Sequence, residues 1–561
     1  MFFRAKKSGD RTYLQIVESY RDEGRPRQRV IATLGRMDEL AASGKLESLL
    51  ASGARFAESA MVLNAFASGE LTAVTTLRIG PSLVFERLWE ETGCKAVIAN
   101  LARERRFTFS LERAVFLTVL HRLFAPGSDR AADKWRADYR IDGTETLSLH
   151  QLYRTMAWLG EPLAPEHQAN KTPFAPRCTK DVIEEHLFDR RRDLFTSLDL
   201  VFFDTTSIYF EGEGGETLGR RGHSKDSRPD LNQMVVGMVL DSEGNPLLTE
   251  MWPGNTTDVK SLVPIVDRLH QRFGVVNVCI VADRGMISEE TMAALEERHW
   301  FYILGARLRS TTEVRDEVLS RAGRYEVVNP KSASVSDPSP LKVKEVMVDE
   351  RRYIVCFNED QAKKDAADRD AIIANLREKL PQGAKALVGN KGYRKYLTKP
   401  ADGFAIDEAK VAHEARYDGK WVLRTNTDLP ADVVALTYKQ LWAVEDIFRT
   451  TKTTMETRPI HHKRDETIRG HVFCSFLAIV LKKALMDRIA AKGLVLEWAD
   501  IVRDLNTLEE VQVNQHDKQF LLRNQIGSAG GKVFQVIGVA LPPTIRAGAG
   551  ETGGVSNSDL I

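Results

Sequence analysis

The sequence predicts an α/β protein built on a sheet of mixed strand direction, with a mostly helical region before it and a β-rich insertion within it. Three observations carry this. Between 196 and 305, apolar strand runs and amphipathic helical segments follow one another as strand, hairpin, helix, strand, helix, strand. Between 306 and 436 the texture changes to shorter amphipathic strands such as RRYIVCFN and KWVLRTN. After 436 long helical patterns resume. At 561 residues the chain is too long for a single core.

The elements follow from local pattern. Residues 11–34 alternate apolar and polar positions around RDEGRPR, which predicts a hairpin. Helical periodicity marks 81–93, 110–124 and 148–159. LDLVFFDTTSIYF (198–210) is a buried-strand run, and LNQMVVGMVL and PLLTEMW flank the turn DSEGN as a second hairpin. The cap-like run Asn255-Thr256-Thr257-Asp258 opens a helix over 258–272. The strand VVNVCIVADRG (275–285), a helix (287–298) and the strand FYILGAR complete this part. The insertion adds a charged helix, DRDAIIANLREKL, and a basic turn, GNKGYRK, at 389–395. Helices are expected at 436–455 and 471–486, a helical region over 487–540, and a Gly/Ser-rich disordered tail over 541–561.

Composition narrows the function classes. A hydrophobic fraction of 43% beside 28% charged residues fits a soluble globular protein. The net charge of +1 argues against a uniformly basic nucleic-acid coat, so DNA contacts must come from local clusters. Residues 1–40 hold nine Lys/Arg against six Asp/Glu, and residues 101–140 hold nine against five. The five cysteines form no CxxC pair, which indicates neither a disulfide framework nor a zinc ribbon. The start, MFFRAKKSGD, lacks the apolar core of a signal peptide. The longest apolar run, VFCSFLAIVL at 472–481, is about half a membrane span. A cytoplasmic protein without membrane contact is expected.

Two acids close buried strands. Asp204 follows Leu200-Val201-Phe202-Phe203, and Asp283 follows Ile280-Val281-Ala282. In open α/β sheets, sites gather beyond the carboxyl ends of strands. One such Asp is commonly a turn cap, a role DTTS suits. Two on neighbouring strands repel, and a cation between them relieves the repulsion. A third acid stands in YKQLWAVEDIFRTTK (438–452). Seven helical residues fall about 20° short of two turns. Tyr438, Glu445 and Lys452 therefore line one stripe, about 10 Å apart by rise, with Arg449 one turn from Glu445. Two readings stand side by side: an i,i+4 Glu–Arg pair worth a few tenths of a kcal/mol, or a third metal ligand flanked by phosphate-gripping cations.

Together these residues resemble the insertion-sequence transposases of the DDE type, which share the ribonuclease H-like fold. The resemblance is to the branch with a β-rich insertion before the Glu and a Tyr-x2-Arg-x3-Glu-x6-Lys helix signature. Tyr438, Glu445 and Lys452 fall at its offsets, while Leu441 stands at its Arg position. GHSKDSRPDLNQMVVGMVL (222–240), WPGNTTD (252–258), ADRGM (282–286) and the stretch 448–481 also look like this family.

The resemblance implies a ribonuclease H-like mixed sheet in two parts, 196–305 and 437–486, around an insertion at 306–436. It implies a DNA-binding region over 1–195. It implies that Asp204, Asp283 and Glu445 bind two Mg²⁺ (or Mn²⁺) and catalyse DNA cleavage and strand transfer at the element's own terminal inverted repeats, in a synaptic homodimer. A nuclease of the same fold that cuts without joining, and a non-catalytic DNA-binding descendant, are the alternatives. Tyr438, Lys452, Arg449 and Arg284 are candidate DNA or phosphate contacts. So is His461-His462-Lys463-Arg464, otherwise a solvated loop; no matching ligand spacing follows it, which speaks against zinc. Arg394 and Lys395 are further candidates for holding DNA. Trp300 and Trp442 are expected in the core rather than as stacking platforms.

Overall fold

The computed structural model describes residues 2–22, 25–43, 71–168, 175–191, 199–275, 278–330, 338–382, 391–399, 403–515 and 518–547. Contacts divide the chain into two compact units: Met1–Arg78 with Leu508–Gln525 and Leu541–Ile561, and Ile79–Thr507 with Ile526–Ala540.

The first unit is β-rich among its described residues. Phe2–Ser8, Arg11–Asp22 and Arg25–Arg36 form an antiparallel meander that contains the expected hairpin. A four-stranded antiparallel sheet joins Leu71–Arg78 to Glu509–Gln515, Lys518–Arg523 and Ile545–Ala547. Among the described residues, a short helix, Met37–Ala42, follows the meander, and the run of helices expected of 1–195 is seen from Gly80 onward. The tail expected to be disordered contributes the strand Ile545–Ala547, because its backbone completes the edge of Lys518–Arg523; 548–561 lie outside the described residues.

In the second unit, nine strands form one sheet in the order Glu326–Asn329, Leu341–Val348, Arg351–Phe357, Lys420–Thr425, Phe301–Gly305, Cys279–Ala282, Leu200–Tyr209, Gln233–Asp241, Pro246–Pro253. The Leu200, Cys279 and Phe301 strands run parallel and the other pairings are antiparallel, so the sheet is mixed as expected. Strands of the insertion continue this sheet through Lys420–Thr425, which pairs with Phe301–Gly305. Edge backbone groups on the 301–305 strand need partners, and the insertion supplies them.

Period-2 alternation decides which face each side chain takes. Val201, Phe203, Ile280, Ala282, Tyr302 and Leu304 pack in one core with Leu262, Ile265, Val266 and Leu269 of the helix Val259–Phe273. The alternate positions, Asp204 and Asp283 among them, fall on the opposite face. The helix Asp465–Ala491, buried along most of its first five turns, packs against Leu149–Leu159. That crossing is close because it is built on glycine: a Cβ on Gly470 would lie 2.0 Å from the Met156 carbonyl oxygen, and one on Gly160 would lie 2.1 Å from that of Glu466. No described helix is long and apolar enough to cross a membrane.

A charged cluster lies inside this unit. Arg272 reaches Glu184 and Glu185 at 2.7 Å, Asp181 at 3.3 Å and Glu250 at 3.5 Å. Lys180 and Arg268 add positive charge, Lys180 at 2.5 Å from Asp181 and Arg268 on Glu250. Burial pushes the Glu184 carboxyl up to about 7, while Lys180 and then Arg272 hold Asp181 down.

Candidate active site

The parallel pairing puts Phe203 opposite Ala282, so the next residues, Asp204 and Asp283, stand side by side where the two strands end their pairing. Burial pushes the Asp204 carboxyl up to about 6; Lys225 and the Thr205 N–H oppose this, and the charges of Asp283 and Asp258 add to it. Asp204 is thus no turn cap: it sits inside its strand, accepting the Thr205 N–H at 2.7 Å. The Tyr438 hydroxyl donates to Asp283 Oδ1 at 3.2 Å, and burial together with that carboxylate raises the phenol far above its ordinary value, so it stays a donor.

Gly305 makes room for that tyrosine. A Cβ there would stand 2.5 Å from the Tyr438 oxygen and 2.9 Å from the Arg284 nitrogen. Gly305→Ala is expected to displace Tyr438 and to lower any activity that depends on the placement of Asp283 by up to about 100-fold. Rates checked beside an unchanged melting curve would separate this from unfolding.

Two residues of this centre escaped sequence reasoning. Asp258, expected to cap its helix, makes no side-chain cap; its Oδ1 accepts the Thr205 hydroxyl at 2.6 Å. Lys225 places its ammonium 3.5 Å from Asp258 and 3.9 Å from Asp204. Carboxylate oxygens are the ligands a hard divalent cation takes, although Asp204, Asp258 and Asp283 do not all come within 4.8 Å of one another. Asp258 and Lys225 line a cleft of about 400 Å³ with Ser207, His223, Gly285 and Arg307. The signal was present in GHSKDSRPD, but a loop lysine shows its partner only once folded.

Asp204 carries a linkage consequence. Its folded value lies above its ordinary 3.8, so the folded state binds the proton more tightly and stability falls as pH rises from 3.8 to about 6. Above that window the full penalty remains. In EDTA at pH 7, Asp204→Asn is expected to stabilise the protein by about 3 kcal/mol, an advantage that denaturant titration should find shrinking toward pH 4.

The expected continuous helix over 436–455 is broken. Ala431–Lys439 ends at Gln440-Leu441, Trp442–Arg449 follows, and Thr450–Thr454 forms a wide π turn. Tyr438, Glu445 and Lys452 therefore lie on three consecutive segments rather than one stripe. Leu441, Val444 and Phe448 are each buried, at the i, i+3, i+7 spacing of one helical face that carries on across the junction. Leu441 is a core anchor and cannot contact phosphate. Glu445 is exposed on the Trp442–Arg449 helix, which packs against the Asp204 strand. Its carboxylate does not stand within 4.8 Å of both Asp carboxylates.

The remaining candidates separate. Arg449 pairs with Asp446 at 2.6 Å, not with Glu445. Lys452 and Arg458 both bind Asp226 Oδ1 at 2.7 Å. Arg284 is exposed beside Asp283. His461, Lys463 and Arg464 are exposed and line, with Arg458 and the half-buried His462, a second cleft of about 580 Å³. Trp300 is in the core as expected, but Trp442 is 64% exposed because it lies opposite the Val444–Phe448 face. Lys395 pairs with Glu414, and the Arg394 side chain lies outside the described residues.

A family model described as "Transposase DDE domain" matches residues 196–481, and one described as "IS1634 family transposase, N-terminal domain" matches residues 3–64. No curated protein matches. Among solved structures, a piggyBac transposase synaptic complex with hairpin DNA is 12% identical with a TM-score of 0.36, covering 76% of this chain and 79% of its own. A Mos1 transposase paired-end complex is 12% identical with a TM-score of 0.14, covering 35% of this chain and 60% of its own.

Proposed function

We propose, for a chain that belongs to the DDE transposase family and is a DNA transposase of ribonuclease H-like fold, that Asp204, Asp283 and Glu445 are its catalytic carboxylates. The observation that carries this is the meeting of Asp204 and Asp283 on adjacent parallel strands under the Tyr438 hydroxyl. The donor set suits two Mg²⁺ ions, with Mn²⁺ as a substitute. When bound, such ions stabilise the attacking and leaving oxygens of an in-line phosphoryl transfer.

The chain's own groups do the rest. Tyr438 fixes the rotamer of Asp283, and Lys225 balances Asp204 and Asp258. Lys452 and Arg458, both held on Asp226, present cations to the DNA backbone, where exchange of Asp226 for phosphate is a local move. Arg284, Arg449, His461, His462, Lys463 and Arg464 are weaker candidates for the same work. Glu445 is assigned as third ligand by its place seven residues after Tyr438 in the family's helix signature, on a helix that packs against the Asp204 strand. The N-terminal region binds the terminal inverted repeats, and two copies synapse two ends in the bacterial cytoplasm, at the nucleoid.

The test is incubation of the full chain with labelled DNA carrying the element's ends, in Mg²⁺ or EDTA. Metal-dependent cutting followed by joining is the expected result. Cutting without joining would make the protein a nuclease, and end binding without cutting would leave it a non-catalytic DNA-binding descendant.

A further inference from the structure

A second metal-ligand set lies away from the carboxylate centre. Asp129, at the start of the helix Asp129–Trp135, meets His462 from the loop after the Glu445 segment and His471 from the long helix Asp465–Ala491. One ligand atom from each lies within 4.8 Å of the others. His462 Nε2 stands 3.3 Å from Asp129 Oδ2 and 3.2 Å from His471 Nδ1. Two ligands bound tetrahedrally at about 2.0–2.1 Å from zinc stand about 3.3–3.4 Å apart, so both separations match the edge of such a site.

The surroundings point the same way. Asp129 is 2% exposed, yet neither carboxylate oxygen accepts an aligned hydrogen bond. His471 Nε2 donates to the Thr457 carbonyl at 3.2 Å. That leaves Nδ1 with its lone pair toward the cluster, the arrangement in which metal-bound histidines are held. The cleft of about 580 Å³ opens onto His462 and gives an entry path. Arg122 is the resident cation, with Nη2 2.7 Å from His471 Nδ1 and 3.9 Å from Asp129 Oδ1. A bound ion displaces this contact, while the bond from Arg122 to the Gly127 carbonyl is free to remain.

We infer that Asp129, His462 and His471 bind one divalent transition-metal ion of the zinc class, with solvent from the cleft as fourth ligand. Such an ion ties the loop carrying Arg458 to two helices, and it is separate from the catalytic magnesium pair. Spacing along the chain at 461–464 does not display this set, because the carboxylate comes from far upstream and the second histidine from a helix.

The test uses the full chain, loaded with Zn²⁺ or Co²⁺, desalted and assayed for metal content and for the visible bands of tetrahedral cobalt. About one ion per chain is expected in the native protein and in an Asp204→Asn/Asp283→Asn variant. His462→Ala and His462→Gln are expected to lose it, with cobalt binding at least tenfold weaker, while melting in EDTA like the native chain. Absence of metal in the native protein, or unchanged retention in both folded His462 variants, would overturn the site and leave Arg122 as the cation that neutralises the cluster. Because the readout is metal content, failure here is distinct from failure of the catalytic assignment.

Discussion

Asp283→Asn is expected to lower metal-dependent DNA cleavage by at least ~10³-fold, about 4 kcal/mol of barrier, while end binding stays within a few-fold. Asparagine keeps the shape and can still accept from the Tyr438 hydroxyl, so the local fold survives. What disappears is the charge that, on the proposed assignment, holds a divalent cation beside Asp204. Glu445→Gln is expected to cause a loss of the same order. Single-turnover cleavage of labelled ends, with binding followed separately by gel shift, distinguishes chemistry from affinity. Full activity in Asp283→Asn would refute the site. Full activity in Glu445→Gln alone would shift the third-ligand role to another carboxylate, and Asp258, beside Thr205, is the next to substitute.

Arg272→Met is expected to destabilise the fold by about 3–5 kcal/mol, as loss of one partner strands buried charge. The side chain serves Asp181, Glu184, Glu185 and Glu250 together, and the first two are fully buried. Methionine fills much of the volume but leaves those carboxylates with Lys180, Arg268 and, on Glu185, Arg177 as counter-charges. Arg377→Met, at a pair with Glu408 exposed on both sides, is expected to change stability by less than about 0.5 kcal/mol. Denaturant titration of the two variants gives the comparison. A cost below about 1 kcal/mol for Arg272→Met would mean that the cluster's charge is compensated without it.

Sheet texture, helix positions and two catalytic candidates were legible along the chain because each rests on local periodicity. Apolar runs before Asp204 and Asp283 imply buried strands; Asp283 closes its strand, whereas Asp204 lies inside a strand that continues to Tyr209. Helices at 80–91, 111–124, 149–159 and 259–273 follow from 3.6-residue patterns, and the structure forms them within a residue or two of expectation. The insertion's strands were visible as strands, but their docking onto the 301–305 edge was not, since a free edge is a property of the assembled sheet.

Long-range encounters were decided by packing. Periodicity drew Tyr438, Glu445 and Lys452 as one stripe, but the structure divides them among three segments, where Tyr438 meets Asp283, Lys452 meets Asp226 and Glu445 is exposed. Lys225 finds Asp204 and Asp258, and Asp226 gathers Lys452 and Arg458, through contacts between elements far apart along the chain. Asp129 meets His462 and His471 the same way. A hydrophobic period is written residue by residue, so the chain alone states which segments become strands and helices. Which charges face each other depends on how those segments cross, and that is settled only when the apolar faces have closed and excluded water.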